Sequence, residues 1–190
     1  MNSKQKPVSA GIAFALFLIA ATGLMRWPGM EKEFWNVDEA VTFTMARQIL
    51  AGDIPYRDAV DQRNPLAPYL QAAVFGIAGK DNLKAQHLSL ALLIGLSAIM
   101  LWRMTRHLLP DGTGISASLW FVLLCMVLPT VRDTMPAHTA WYLIFFSIAG
   151  FYGLARAWHS PRSGWALASG LAFSFSVLAK QPGLLDFGVA

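Results

Sequence analysis

Two adjacent carboxylates, Asp38 and Glu39 in the stretch Trp35-Asn-Val-Asp-Glu-Ala-Val41, are the first residues here whose type and placement suit chemistry. They lie in a polar segment just beyond a long apolar run, and a carboxylate so placed can serve as a general base toward a hydroxyl. Arg57 and Arg63 follow, with Tyr56 beside the first. The planar paired donors of arginine match phosphate oxygens. Asp133, with His138 five residues on, and Lys180 in Lys180-Gln-Pro-Gly183 complete the candidates.

Each candidate has a plainer reading. Asn36 and Glu39 have capping-box spacing, and acids in a first helical turn are stabilised by the helix dipole, typically by under about 1 kcal/mol. The two readings are compatible, because a carboxylate held by backbone amides at a helix start stays ionised and positioned. A lone arginine near an interface snorkels to headgroups, and a loop acid such as Asp133 caps a helix or solvates a turn. Lys180, close to a helix-breaking proline, lines a cavity or marks a membrane boundary. His87 reads as an interfacial side chain, while His107 and His159 carry no constellation.

The elements that must position these residues are apolar. The 190 residues are 55% hydrophobic and 14% charged, with a mean hydropathy of +0.46, too apolar for an ordinary soluble domain. Seven Trp and twelve Phe suit a bilayer protein. The net charge of +4 comes from Lys and Arg scattered singly between apolar runs, a pattern that excludes nucleic acid as a partner. The lone Cys125 permits neither an intramolecular disulfide nor a cysteine-based metal site. The chain has no Gly-rich nucleotide loop, no His-Glu-x-x-His and no Gly-x-Ser-x-Gly, which argues against a nucleotide-dependent enzyme facing the cytoplasm.

Hydropathy predicts five spans: Pro7–Met25, read as a retained first helix because it lacks a convincing small-x-small cleavage site before Arg26 and more spans follow, then Gln86–Trp102, Thr113–Thr130, Ala140–Ala155 and Gly164–Ala179. Pro65–Gly79, about 15 residues, falls short of the roughly 20 needed to cross upright and is expected to be interfacial or re-entrant. The expected fold is all-α: a polytopic membrane helix bundle forming one domain over 1–190, with residues 26–64 as a first extracytoplasmic loop. Lys4 and Lys6, Arg103 and Arg106, and Arg156 and Arg162 then pair up on the inner side. Within the loop, Val37–Ala51 reads as a juxtamembrane helix, with Val41, Met45 and Ile49 as its apolar stripe and Gly52 as its C-terminal cap. This topology leaves Arg26, Lys32, Arg47, Arg57, Arg63, Lys80, Lys84, Arg132 and Lys180 outside, against the sorting rule, which hints at an anion such as a lipid-linked phosphate there. The loop also holds seven of the eleven acidic residues, so its own sum is slightly negative.

The order of features, Asp38-Glu39-Ala40, Ala46-Arg47, Gly52, Pro55-Tyr56-Arg57-Asp58, Asp61-Gln-Arg-Asn-Pro-Leu66, a short apolar helix and Lys180-Gln-Pro-Gly183, resembles the amino-terminal part of the GT-C glycosyltransferases of the protein-mannosyltransferase type. That group includes the aminoarabinose transferases and the Rgt-like enzymes. The resemblance implies a polyprenyl-phosphate sugar donor and an inverting attack by an acceptor hydroxyl at the active side, periplasmic or extracellular, of a multi-pass cell-membrane enzyme. Asp38 matches the family's first-loop acid, the catalytic base or acceptor-positioning carboxylate, with Glu39 its frequent neighbour. Arg63 falls where the family often has Lys before Pro-Pro; here Arg63-Asn64-Pro65 keeps the charge and loses one Pro. Arg57 or Lys180 would assist it on the departing phosphate, and Asp133 is a looser match to the acid of the second outer loop. No cofactor is demanded; a divalent metal where two outer acids converge is left open, as is the acceptor. Members of the family run to several hundred residues, so the expectation is an amino-terminal portion lacking part of the donor site. The rival readings are a non-catalytic multispan subunit, a small transporter or an inactive remnant.

Overall fold

The computed structural model describes residues 8–31, 35–58, 63–110, 112–127, 135–160 and 163–189. Among them the secondary structure is helical: α1 (Val8–Arg26) running into a short 3-10 turn (Trp27–Glu31), α2 (Val37–Ala51), α3 (Leu66–Ala78), α4 (Leu83–Leu108), α5 (Thr113–Val127), α6 (Thr139–His159), α7 (Ser163–Ala179) and α8 (Gly183–Val189). Three stretches are long and apolar enough to cross a bilayer, Ser9–Glu31, Leu83–Arg106 and Thr139–His159. Leu66–Ala78, Thr113–Cys125 and Ser163–Ala179 are shorter apolar helices. The chain is an all-α membrane helix bundle. α3, with 13 residues, is about 20 Å long, well under the roughly 30 Å of a hydrocarbon core.

Small residues bring the long helices together. On α6, a Cβ on Gly150 would come within 2.7 Å of the Phe173 ring, and one on Gly153 within 3.1 Å of Ser169 on α7. Ser169 Oγ donates to the Gly150 carbonyl at 2.8 Å. Without a hydrophobic drive between helices in lipid, such close backbone approach and interhelical hydrogen bonding are what hold a pair. This antiparallel pairing sets the start of α6 (His138, Thr139) beside the end of α7 (Ala179, Lys180). At the α4–α5 crossing, Gly114 lies so close that a Cβ would meet Thr105 Oγ1 at 2.6 Å.

α2 packs on the bundle through Glu39, Thr42, Phe43, Met45 and Ala46. The expected stripe was shifted: Met45 is buried, but Val41 and Ile49 are only partly so. Phe43 meets Phe75 of α3 edge-on at 5.6 Å, within a core that includes Leu90, Ile94 and Trp141. The predicted cap at Gly52 is present, at φ +101 with its N–H on the Gln48 and Ile49 carbonyls. α8 was not anticipated. It folds back along α7, Gly183 fitting against Ser176 where a Cβ would be 2.5 Å away, while Asp186 accepts from Ser147 Oγ at 2.5 Å.

Candidate functional site

The site forms at the end of the bundle where α1 and α7 finish and α2, α3, α4 and α6 begin. Asn36 opens α2 in an extended conformation, and its Oδ1 accepts from Glu39 N at 2.9 Å. With Oδ1 so engaged, Nδ2 is the donor in the 3.0 Å contact to His138 Nε2, which makes Nε2 the unprotonated ring nitrogen. The helix start thereby reaches across to the segment before α6.

Asp38 and Glu39 then diverge. The Asp38 side chain is 56% exposed and faces a cavity of about 460 Å³, ion-paired to Arg63 with Nη2 to Oδ1 at 2.5 Å. Glu39 is 0% exposed. It accepts from Trp35 N at 2.8 Å through Oε2 and from Ala137 N at 2.8 Å through Oε1, and its Oε1 lies 3.5 Å from Nε2 of the buried His87. So the carboxylate held by backbone amides is Glu39, whereas Asp38 is held by an arginine. Burial pushes the Glu39 carboxyl above its ordinary value, opposed by the two amide hydrogen bonds and by the charge of Arg26. Arg26, itself fully buried, donates from Nη2 to the Met135 carbonyl and lies over Trp141. Arg26 and Glu39 thus both bind the 135–137 strip that carries His138 into the cavity.

Arg63 is aimed by its neighbours. Asn64 Nδ2 donates to the Val177 carbonyl of α7 at 2.6 Å, and the Tyr56 hydroxyl donates to the Arg63 carbonyl. Tyr56 has φ +68, a conformation that bulky residues rarely adopt; the reach of its hydroxyl to Arg63 ties that turn to the site. Lys180 joins the cavity wall from the end of α7, together with Thr42, Thr139 and Gln181. Arg57 does not line the cavity. It pairs with Asp58 in solvent, Nη2 to Oδ2 at 2.8 Å, and that guanidinium holds the Asp58 carboxyl below its usual range. Asp133 lies outside the described residues. Among the described residues no three of His, Cys, Asp and Glu converge as metal ligands would.

The cavity therefore joins Asp38, Arg63 and Lys180, while Tyr56 acts on Arg63 from behind and Glu39 lies beneath. Sequence reasoning gives His138 only as the neighbour of Asp133, without placing it in the cavity wall, and misses the buried grouping of Arg26, His87 and Glu39, His87 being read as interfacial. The signal available for the second was Arg26 itself, a cation placed at the very end of an apolar run.

This constellation is a carboxylate facing two cations in a polar cleft at one end of a membrane bundle. No curated protein and no solved structure matches the chain. A family model described as dolichyl-phosphate-mannose-protein mannosyltransferase matches residues 62–186, taking in Arg63, His138 and Lys180 and beginning after Asp38. Two thirds of the sequence lies within that match, and the chain belongs to the dolichyl-phosphate-mannose-protein mannosyltransferase family, membrane glycosyltransferases of the GT-C kind.

Proposed function

We propose that the cavity transfers a sugar from a polyprenyl-phosphate donor to an acceptor hydroxyl on the extracytoplasmic side, with Asp38 as general base and Arg63 and Lys180 as the phosphate grip. The observation that carries this reading is the shared cavity, which sets one exposed carboxylate against two cations from different elements. As the acceptor oxygen bonds to the anomeric carbon, the carbon–oxygen bond to phosphate breaks. The hydroxyl proton passes to Asp38, and the added charge on the lipid phosphate is met by the guanidinium and the ammonium. A phosphate entering the cavity competes with Asp38 for Arg63, so donor binding would free the base for the acceptor. A lipid phosphate is a good leaving group, and base and anion stabilisation suffice.

The sidedness rests on basic residues. Arg103, Arg106 and Arg156 belong to the ends of α4 and α6 remote from the cavity, and under the positive-inside rule they support a cytoplasmic position for those ends. Asp38→Asn is expected to cut transfer of labelled sugar from polyprenyl phosphate by the full-length protein by about 10²–10⁴ while leaving helicity and membrane insertion intact. Transfer at the unaltered rate would overturn the assignment. Thiol labelling of Asp38→Cys in a Cys125→Ser background should proceed from outside intact cells, and labelling only after permeabilisation would overturn the sidedness.

A further inference from the structure

At the other end of the bundle a second cavity, of about 530 Å³, opens between α1, α4 and α5. Its walls are apolar: Gly11, Phe14 and Ile19 from α1 and Trp102 from α4. Its mouth carries Arg103 and Arg106, three residues apart and so on neighbouring positions of one helix face. Arg106 lies over the Trp102 ring at 5.4 Å, which anchors the guanidinium at the edge of the groove. The two glycines make the space and the closeness: Gly11 leaves its side of α1 low against Trp102, and Gly114 lets α5 come up tight to α4. The groove adjoins the outer face of α1, where Ile12 and Leu16 are more than half exposed. Among the described residues neither arginine has a carboxylate partner.

We infer that this groove is a binding site for an anionic phospholipid of the adjoining leaflet, its acyl chain along Phe14 and Trp102 and its phosphate between Arg103 and Arg106. An apolar channel beside exposed apolar helix faces takes a lipid tail, and two cations at its mouth with no carboxylate partner among the described residues suit a negative headgroup. A basic pocket between membrane helices has this chemistry. The site is separate from the proposed donor cavity. His87 and Arg103 are sixteen residues apart on one helix, about 24 Å along its axis, too far for one phosphate to serve both ends. A lipid seated here also bridges α1 to α4 and α5, bracing the first helix of the bundle.

Native mass spectrometry of the purified full chain, released from detergent supplied with equal phosphatidylglycerol and phosphatidylcholine, tests the site. The unaltered protein is expected to retain phosphatidylglycerol preferentially, and equal retention overturns the proposal. Arg103→Gln with Arg106→Gln should weaken that retention of the order of tenfold, with Arg103→Lys and Arg106→Lys keeping most of the preference. Ala15→Trp, which fills the groove without changing charge, should lower retention of both lipids. Undiminished phosphatidylglycerol binding by either the glutamine pair or the tryptophan variant overturns the assignment to this groove. Displacement of the lipid by inorganic phosphate would make the site a simple anion site and overturn the inference equally.

Discussion

Two neighbouring carboxylates at one helix start point into different surroundings, one toward a cavity and one into the packed interior. Asp38 faces a water-accessible cavity and shares it with Arg63 and Lys180. Glu39 lies in a closed chamber with Arg26 and His87, its oxygens spent on the amides of Trp35 and Ala137. The open region has the charge arrangement for chemistry, while the closed one fixes the backbone that surrounds it. Successive residues in a helix point about 100° apart, so one can be wet and the next dry. Chemical similarity in the sequence thus conceals a division between an open, arginine-paired carboxylate and a closed, amide-bound one.

Substitutions can break that division, and the largest effect is expected at Asp38. Asp38→Asn should reduce the transfer rate by about 10²–10⁴, the usual contribution of a general base, with the melting of the helical signal unchanged. Glu39→Ala should do the reverse first. Loss of two amide-to-carboxylate hydrogen bonds in a buried site costs about 3 kcal/mol, read as earlier thermal loss of helicity in detergent. If Glu39→Ala left stability unaltered and removed activity alone, the two residues would belong to one functional unit and the comparison would fail.

Arg63→Ala should raise the KM for the lipid-phosphate donor by about tenfold or more, as expected for a charge-assisted hydrogen bond, and Arg63→Lys should restore part of it. A smaller, pH-dependent effect distinguishes the closed region. Burial raises the folded pKa of Glu39 above its ordinary 4.5. Between those two values the folded protein holds a proton that the unfolded chain has released, so this contribution to stability is full below about pH 4.5 and is lost as pH rises through the folded pKa. Glu39→Gln should lack that decline, visible as a flatter dependence of melting temperature on pH. The smallest effect is expected at Arg57, whose exposed pairing with Asp58 lies away from the cavity: Arg57→Ala should leave KM for the donor within about twofold. A loss as large as that of Arg63→Ala would bring Arg57 into the phosphate grip.

Much of the framework was legible in the amino-acid order. Long apolar runs must satisfy their backbone polar groups internally, so they read as helices, and Asn36, Glu39 and Gly52 announced the ends of α2 through local hydrogen bonds and a left-handed turn. Asp38, Arg63 and Lys180 could be named as candidates by residue type and by resemblance. Their convergence could not be read, because it depends on Asn64 binding the Val177 carbonyl and on the close α6–α7 crossing at Gly150 and Gly153. Nor could the fold-back of α8, which depends on Gly183 fitting against Ser176.

By itself, then, the sequence determined that this chain is a membrane helix bundle with acids and cations gathered beyond its first apolar run, because hydropathy and capping act over one turn to a few turns. Only the tertiary structure decided that Asp38 is open and Glu39 closed, and that Arg63 and Lys180, 117 positions apart in the chain, share one cavity. The physical reason is range. Burial and ion pairing are properties of whatever packs against a side chain, and those neighbours come from helices distant in the chain.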